Sequence, residues 1–181
     1  MKILMIESSP RKKSCSNLLA SYFALGAEKS GNTVRVFDVS KIQISPCQAC
    51  GTCEQTGPCL QRDSMANLRN QILDTDVLVF VTPIYYSGVS AQLKLAIDRF
   101  TAFYKDLRKR KLKTFLLAVA GHSNSATAMV EQFYLELCQE FHFQNFGTLC
   151  VAGLEDVFEM KRSPFPARAY EMGRGVVNPL N

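Results

Sequence analysis

The sequence predicts an α/β fold in which helices cover both faces of a parallel β-sheet. Short apolar runs alternate along the 181 residues with segments whose apolar side chains recur at helical spacing. Uninterrupted apolar runs are typical of strands buried on both faces, and helices between such strands give right-handed crossovers. The length suits one hydrophobic core, so we expect residues 1–181 to form a single domain.

Five segments are predicted to be strands. Four of them are nearly continuous apolar runs, and the second alternates apolar and polar side chains. The predicted strands are Lys2–Ser8, Thr33–Val39, Val77–Pro83, Thr114–Gly121 and Phe146–Leu154.

Five helices are predicted between and after these strands. Asp63 and Ser90 are candidate N-caps, because each precedes apolar residues spaced three or four apart. We expect these apolar stripes to face the core. The predicted helices are Asn17–Lys29, Asp63–Ile72, Ser90–Phe103, Ala126–Phe141 and Pro166–Val176.

The positive charge of the chain is concentrated in one stretch. The formal net charge is +5, and Tyr104–Lys113 holds six basic residues and one acidic residue. This stretch is either a solvated helix end or a dock for an anionic nucleotide or a protein partner. It lacks interleaved aromatic residues and any nucleic-acid-binding motif, so we expect no nucleic-acid partner.

We expect a cytoplasmic protein without a membrane segment. The apolar runs are much shorter than the roughly 18 residues of a spanning helix. The apolar run in the opening MKILMIES is also too short for a signal peptide. Stable disulfides are rare in a reducing compartment, which makes seven cysteines a high count.

Four of the cysteines fall in one long connection at about residues 44–62, which we call the cysteine loop. Cys47, Cys50, Cys53 and Cys59 have the spacing C-x2-C-x2-C-x5-C. A [4Fe–4S] cluster takes four cysteines, and ferredoxin-type sites use tight C-x2-C-x2-C runs. A zinc site more often uses two separated C-x2-C pairs. From the residues alone, metal ligands, disulfides and a packed structural loop are all open.

The turn after the first predicted strand is rich in groups that bind phosphate. It offers a charged donor in Arg11 and a helix cap in Ser16 or Asn17. Its hydroxyl groups are those of Ser9, Ser14 and Ser16. Ligands of doubly wound sheets bind at the carboxyl ends of the strands, where a helix N-terminus favours anions. No G-x-G-x-x-G or P-loop motif is present, so an ordinary polar turn is the alternative.

A second candidate loop follows the third predicted strand. Tyr85 and Tyr86 lie between Pro83 and Gly88, outside any helical stripe. Two adjacent tyrosines in a sharp loop favour an interpretation as walls for a flat ring.

Three separated motifs then give a resemblance. They are SSPRKKSCS, TPIYYSGVSAQLKLAIDR and the end of the cysteine loop, GPCLQRDSM. Together they resemble the NAD(P)H-dependent FMN reductases of flavodoxin-like fold, and in particular the iron–sulfur flavoprotein branch. The resemblance implies a flavodoxin-like three-layer αβα sandwich, with a five-stranded parallel sheet in the order 2-1-3-4-5 and bound FMN.

The resemblance also implies a set of site residues. The FMN phosphate is expected at Ser9, Arg11, Ser14 and Ser16, beside Asn17. The flavin ring is expected at Thr82, Pro83, Ile84, Tyr85, Tyr86 and Ser87, with Gly121 and His122 approaching from a third loop. His122 is a candidate proton donor or only a polar loop residue. In this branch Cys47, Cys50, Cys53 and Cys59 match the ligands of a [4Fe–4S] cluster.

The implied chemistry is electron transfer through FMN. Electrons would come from NAD(P)H or a ferredoxin-like donor and pass to a small-molecule acceptor such as a quinone, with or without the cluster. The alternatives are a flavodoxin-like electron carrier, which the positive charge disfavours, a cluster-free FMN reductase, and a redox or metal sensor. The resemblance further implies a homodimer or homotetramer, with the helix Ser90–Phe103 as the contact.

Overall fold

The computed structural model describes residues 1–122 and 124–176. Its strands are β1 Lys2–Glu7, β2 Thr33–Asp38, β3 Val77–Tyr85, β4 Gly88–Val89, β5 Lys113–Ala120 and β6 Gln144–Ala152. Its helices are α1 Cys15–Lys29, α2 Thr52–Thr56, α3 Met65–Leu73, α4 Ala91–Asp98, α5 Tyr104–Arg110, α6 Asn124–Phe141, α7 Val157–Arg162 and α8 Phe165–Arg174, and a 3-10 segment covers Arg99–Phe103.

Five parallel strands form the central sheet in the order β2-β1-β3-β5-β6. The two-residue strand β4 pairs antiparallel with the end of β3, through Ile84 and Val89. Without β4, the strands read 2-1-3-4-5 in chain order. The predicted fold class is therefore confirmed, and β4 is an addition that the sequence pattern did not predict.

The apolar runs are buried because both faces of the sheet are covered. In β1, Leu4 and Ile6 pack into one hydrophobic cluster while Ile3 and Met5 pack into the other. Side chains alternate between the faces of a strand, so a strand covered twice needs apolar residues at every position. Among the described residues, no helix has the length and apolarity needed to cross a membrane.

The predicted helix Ser90–Phe103 is wrong beyond Asp98. The α-helix ends there and the chain continues as the 3-10 segment Arg99–Phe103. Phe100 and Phe103 are both buried. In a 3-10 turn, residues three apart lie above each other, so both rings reach the same core region.

Other boundaries also differ from the prediction. Helix α1 begins at Cys15 with Ser14 as its N-cap, so neither Ser16 nor Asn17 caps it. The final helix is α8, Phe165–Arg174, one residue earlier than predicted at its start and two at its end. Helices α2 and α7 lie in segments for which no helix was predicted. Each has five or six residues, too few to show a helical apolar period.

Helices α1 and α8 touch through their backbones. A Cβ atom added at Gly26 would lie 2.0 Å from the carbonyl oxygen of Tyr170, and one at Gly173 would lie 2.0 Å from that of Phe23. Real Cβ atoms do not approach so closely, so the crossing requires glycine on both helices. The contact packs α8 tightly against the C-terminal part of α1. The N-terminus of α1 borders the candidate functional site.

Candidate functional site

An open cleft lies at the carboxyl ends of β1, β3 and β5. Its volume of about 440 Å³ is within the range of small-molecule and cofactor sites. Eleven of the thirteen predicted flavin-site residues line it, and the two that do not are Asn17 and Thr82. The three loops that the sequence singled out are therefore brought together at one edge of the sheet, as expected for a doubly wound fold.

The first wall of the cleft is the N-terminus of α1. The Ser14 hydroxyl accepts a hydrogen bond from the Asn17 amide at 3.4 Å, and the Ser14 and Ser16 hydroxyl oxygens are 2.8 Å apart. Arg11 and Lys13 line the same end of the cleft. The first turn of this 15-residue helix has no acidic residue, so its free amides and the two cations favour an anion.

The second wall is the hairpin between β3 and β4. Its two central residues, Tyr86 and Ser87, have φ values of +49° and +62°. Positive φ at both positions defines a type I′ turn, which normally takes Asn or Gly. A tyrosine held in this region costs about 1 kcal/mol or more, and such strain is concentrated at functional sites. The Tyr86 side chain is fully exposed at the tip.

Thr82 lies behind this hairpin and joins it to its neighbours. Its buried hydroxyl accepts a hydrogen bond from the Ser90 amide at 3.0 Å and donates one to the Pro83 carbonyl at 2.7 Å. Ser90 caps α4, and its own hydroxyl donates to the carbonyl of Ser8 at 3.3 Å. Hydrogen bonds thus join the hairpin between β3 and β4, the turn after β1 and the start of α4 into one unit.

Gly121 and His122 form the third wall, with a residue that the sequence analysis missed. His122 Nε2 lies 2.8 Å from Glu155 Oε1, and both side chains are largely exposed. A Cβ at Gly121 would lie 2.4 Å from the same Glu155 oxygen, so glycine leaves space for this carboxylate. Glu155 shortly follows the fifth predicted strand. Position at a strand end was thus the only signal in the sequence that pointed to it.

A half-buried carboxyl group lies at the end of β1. Glu7 is paired in register with Asp38 of β2. Burial, followed by the negative charge of Asp38, raises the pKa of Glu7 to about 7, although Lys41 opposes the shift. Asp38 is itself held by Lys41 at 2.7 Å and by the Ser40 hydroxyl at 2.6 Å.

The cysteine loop leaves the same edge of the sheet after β2. All seven cysteines are free thiols, with Cys47 and Cys50 exposed and Cys53 and Cys59 partly buried. Four unpaired thiols have the donor chemistry of an iron–sulfur site. Across residues 1–122 and 124–176, however, no three Cys, His, Asp or Glu side chains converge into a metal-binding group. In the described part of the chain, none of these four cysteines lines the cleft.

A buried ion pair lies beneath the cysteine loop. Arg99 Nη1 is 2.8 Å from Asp63 Oδ2, and the Arg99 side chain is only 2% exposed. Burial acts to raise the pKa of Asp63, but hydrogen bonds from Arg99 and from the Ser45 and Met65 amides outweigh it and lower that pKa. The N-cap position of α3 is Ser64 and not Asp63 as predicted, although the Asp63 carboxylate does accept a hydrogen bond from the Met65 amide at 3.1 Å. Arg99 is the last residue of the motif TPIYYSGVSAQLKLAIDR, but no sequence pattern pointed to its pairing with Asp63.

The basic stretch Tyr104–Lys113 is remote from the cleft. It covers α5 and the first residue of β5, at the amino ends of the parallel strands. The cleft lies at the opposite edge, where β5 ends. A nucleotide bound in the cleft is therefore not held by this stretch.

Comparison with known proteins agrees with this geometry. Residues 1–153 match the family described as NADPH-dependent FMN reductase. The chain belongs to that family.

Several curated relatives are iron–sulfur flavoproteins. One from Archaeoglobus fulgidus is 33% identical over 122 residues, which is 67% of this chain and 56% of the relative. One from Methanosarcina thermophila is 32% identical over 100 residues, which is 55% of this chain and 52% of the relative. The chain spans about half the length of these relatives.

Solved structures share the fold at low sequence identity. An NAD(P)H:quinone oxidoreductase from Methanothermobacter marburgensis superposes with a TM-score of 0.82 at 18% identity, covering 100% of this chain and 98% of that one. An azoreductase from Bacillus anthracis gives a TM-score of 0.73 at 18% identity, covering 99% of this chain and 100% of that one. At such identities the likeness establishes the flavodoxin-like fold and nothing further.

Proposed function

We propose that this protein is an FMN-dependent oxidoreductase that takes electrons from NAD(P)H or a ferredoxin-like donor and passes them to a small acceptor such as a quinone. The observation that carries the proposal is the cleft, which joins a cationic helix N-terminus to a tyrosine-bearing turn. The first fits a phosphate and the second fits a flat ring. Family membership supports FMN as the ligand with both parts.

Different residues of the cleft bind the phosphate and the ring of FMN in this proposal. The phosphate is bound by the amides at the start of α1, by the Ser9, Ser14 and Ser16 hydroxyls and by Arg11. Tyr85 and Tyr86 would border the ring, and the backbone amides of the hairpin would supply donors to it. FMN supplies the redox chemistry, while the protein sets its position and surroundings. His122, with Glu155 as its hydrogen-bond partner, is the candidate for holding a proton at the mouth.

The phosphate assignment is tested by Arg11→Ala. A charge-assisted hydrogen bond contributes about 1.5–3 kcal/mol, so we expect the Kd for FMN to rise roughly tenfold to a hundredfold. The flavin absorption maxima should change little, because Arg11 is at the phosphate end. The measurement is a fluorescence titration of apoprotein with FMN. Lys12→Ala is the control, since it removes a cation from the same loop that does not line the cleft. Equal weakening in both variants would contradict the assignment.

We further propose that the cysteine loop binds a [4Fe–4S] cluster. Four free cysteines on one loop support it, as do relatives that are named iron–sulfur flavoproteins. The thiols of the described residues do not converge into a metal-binding group. The loop would have to close around it.

An assay of iron and acid-labile sulfide on protein purified without air tests the cluster. We expect about four irons per chain and broad absorbance beneath the flavin bands that dithionite bleaches. The Cys50→Ala variant should lose iron and keep FMN, whereas Cys150→Ala, outside the loop, should keep both. A yellow wild-type protein with FMN and no iron would leave a cluster-free FMN reductase.

The assembly and the location of the protein are also proposals. We propose a homodimer or homotetramer that contacts through α4 and the 3-10 segment after it, in the cytoplasm. Light scattering coupled to gel filtration tests the assembly. A mass of one chain, 20.2 kDa, would exclude it.

A further inference from the structure

A second groove adjoins the cleft on the side of α7, and we call it the α7 groove. Its volume is about 450 Å³, similar to that of the cleft. Lys13 and Glu155 line both spaces, so the groove and the cleft meet. The groove between β6 and α8, in contrast, shares no residue with the cleft. The α7 groove is lined by Lys13, Glu155, Asp156, Val157, Phe158 and Lys161.

The two walls of the α7 groove are held by contacts with the rest of the fold. The Cys15 thiol, at the start of α1, donates to the Glu155 carbonyl at 3.6 Å. The Asp156 carboxylate caps α7 by accepting a hydrogen bond from the Phe158 amide at 2.8 Å. Met160, in the middle of α7, is completely buried. The groove is therefore part of the packed structure beside the start of α1.

The polar groups of the α7 groove suit a ligand that carries both phosphates and hydroxyl groups. Lys13 and Lys161 are exposed, and neither has an ion-pair partner among the described residues. Their ammonium groups can donate to phosphate oxygens. Glu155, which also pairs with His122, and Asp156 add carboxylate oxygens, which accept from ribose hydroxyls in nucleotide sites. With two cations and two anions, the groove fits a nucleotide better than a simple anion.

The α7 groove also presents an aromatic ring. Phenylalanine is usually buried, yet the Phe158 side chain is 66% exposed. An exposed aromatic ring is the kind of surface on which proteins stack nucleobases, since every base has a flat π-face. The ring, the two lysines and the two carboxylates therefore match the base, the phosphates and the ribose of an adenine nucleotide.

We propose that the α7 groove binds the adenosine half of a nicotinamide dinucleotide, whose other half reaches the cleft. Phe158 stacks on the adenine and Lys161 pairs with a phosphate. Lys13 lies where the groove meets the cleft, so it pairs with the pyrophosphate that crosses between them. With FMN in the cleft, a ligand as large as a dinucleotide needs a second site that touches the first.

This inference rests on the proposed function, because the nicotinamide half has a task only where FMN is bound. It deepens that function by favouring NAD(P)H over a ferredoxin-like protein as the electron donor. A protein donor would need no groove shaped for one base, one ribose and two phosphates.

Isothermal titration calorimetry of the FMN-loaded protein with adenosine 2′,5′-bisphosphate tests the groove. This probe carries the base, the ribose and two phosphates but no nicotinamide, so it reports binding without electron transfer. We expect Phe158→Ala to raise the Kd for the probe roughly fivefold to a hundredfold. Phe158→Tyr should restore most of the affinity, because stacking requires a flat ring and not a particular side chain.

The contribution of charge is tested by Lys161→Ala. We expect it to raise the Kd for the probe roughly fivefold to tenfold, as for a partly exposed charged hydrogen bond. Arg162→Ala is the matched control, since it removes the next cation of α7, which does not line the groove. Equal weakening in Lys161→Ala and Arg162→Ala would contradict a specific contact and overturn the assignment of Lys161.

Three results would overturn the proposal as a whole. They are a wild-type protein that does not bind the probe, a Phe158→Ala variant that binds it as tightly as wild type, and a probe that displaces FMN and therefore binds in the cleft. A parallel titration with 5′-AMP identifies the donor. Tighter binding of the bisphosphate would indicate NADPH and equal binding NADH, and Phe158→Ala must weaken both probes in either case.

Failure of the proposed function gives a different result. Phe158 and Lys161 do not line the cleft, so their variants should keep the wild-type Kd for FMN. Arg11→Ala should raise the Kd for FMN and leave that for the probe unchanged, because Arg11 does not line the α7 groove. A wild-type protein that binds no FMN would refute the oxidoreductase, while the effect of Phe158→Ala on the probe would still decide the groove.

Discussion

The position of Glu7 at the end of β1, half-buried beside Asp38, raises the pKa of its carboxyl group. Its pKa is about 7 in the folded protein and 4.5 as a free side chain. Between those pH values the folded state holds a proton that the unfolded state releases, so the free energy of unfolding falls as pH rises through this window. For a half-buried group, solvent screening limits the loss to on the order of 1 kcal/mol.

We expect Glu7→Gln to remove this part of the pH dependence. The amide carries no charge at any pH, so the variant should gain stability relative to wild type at pH 8 and not at pH 4. Urea unfolding at the two pH values measures the effect. Glu28→Gln, an exposed glutamate on α1, is the control. A wild-type slope retained in Glu7→Gln would assign the titration to another group.

At this scale the sequence predicts residues whose partners are close in the chain. The hydroxyls near Ser14 and the tyrosines after Pro83 were recognisable because each set falls in one short turn. Arg99 and Glu155 were not, since their partners are 36 and 33 residues away, at Asp63 and His122. Local patterns carry no information on which distant side chain meets a buried charge.

At the scale of elements, the close crossing of α1 and α8 predicts how Gly→Ala substitutions change stability. In an exposed helix, Gly→Ala stabilises by about 1 kcal/mol. At Gly26 or Gly173 the new methyl group would meet a backbone carbonyl at 2.0 Å, which the other helix can relieve only by moving away. We therefore expect each substitution to destabilise by about 2 kcal/mol or more.

Thermal unfolding measures this difference. For a chain of this size, 2 kcal/mol corresponds to a fall in Tm of roughly 4–8 °C. Leu25→Ala is the matched control, because Leu25 neighbours Gly26 on α1 and is 46% exposed. A Tm that rises in Gly26→Ala would mean that the helices are further apart than the structure has them.

Strands were predicted better than helices, and the reason is physical. A strand covered on both faces imposes apolar residues at every position, which is a strong signal over six residues. The apolar residues after α4 are spaced as in an α-helix, and the segment was predicted to be one. It is a 3-10 segment instead, in which Arg99 and Phe100 are both buried. Tertiary contacts thus decided an element whose local pattern was ambiguous.

For the whole molecule, the alternation of strands and helices predicts the layers but not the strand order. The order 2-1-3-4-5 came from the resemblance of three motifs, and the parallel pairings confirm it. The same motifs predicted where FMN should bind, and the cleft brings eleven of those residues together. The cysteine loop is different, because its spacing suggests a cluster while, in the described part of the chain, no three of its thiols converge into a metal-binding group. Spacing along the chain shows which donors are available, but it does not determine their arrangement in space.

The glycine contact between α1 and α8 also has a consequence for synthesis of the chain. Gly26 emerges from the ribosome 147 residues before Gly173, the residue that it faces. At a synthesis rate of about 5–20 residues per second, the surface of α1 around Gly26 stays without α8 for roughly 7 to 30 s. For the last 21 of these residues, after β6 ends at Ala152, the nascent chain contains every strand of the sheet while α1 still lacks its partner α8. Factors that hold unfinished chains should therefore engage this protein at α1 until α8 is released.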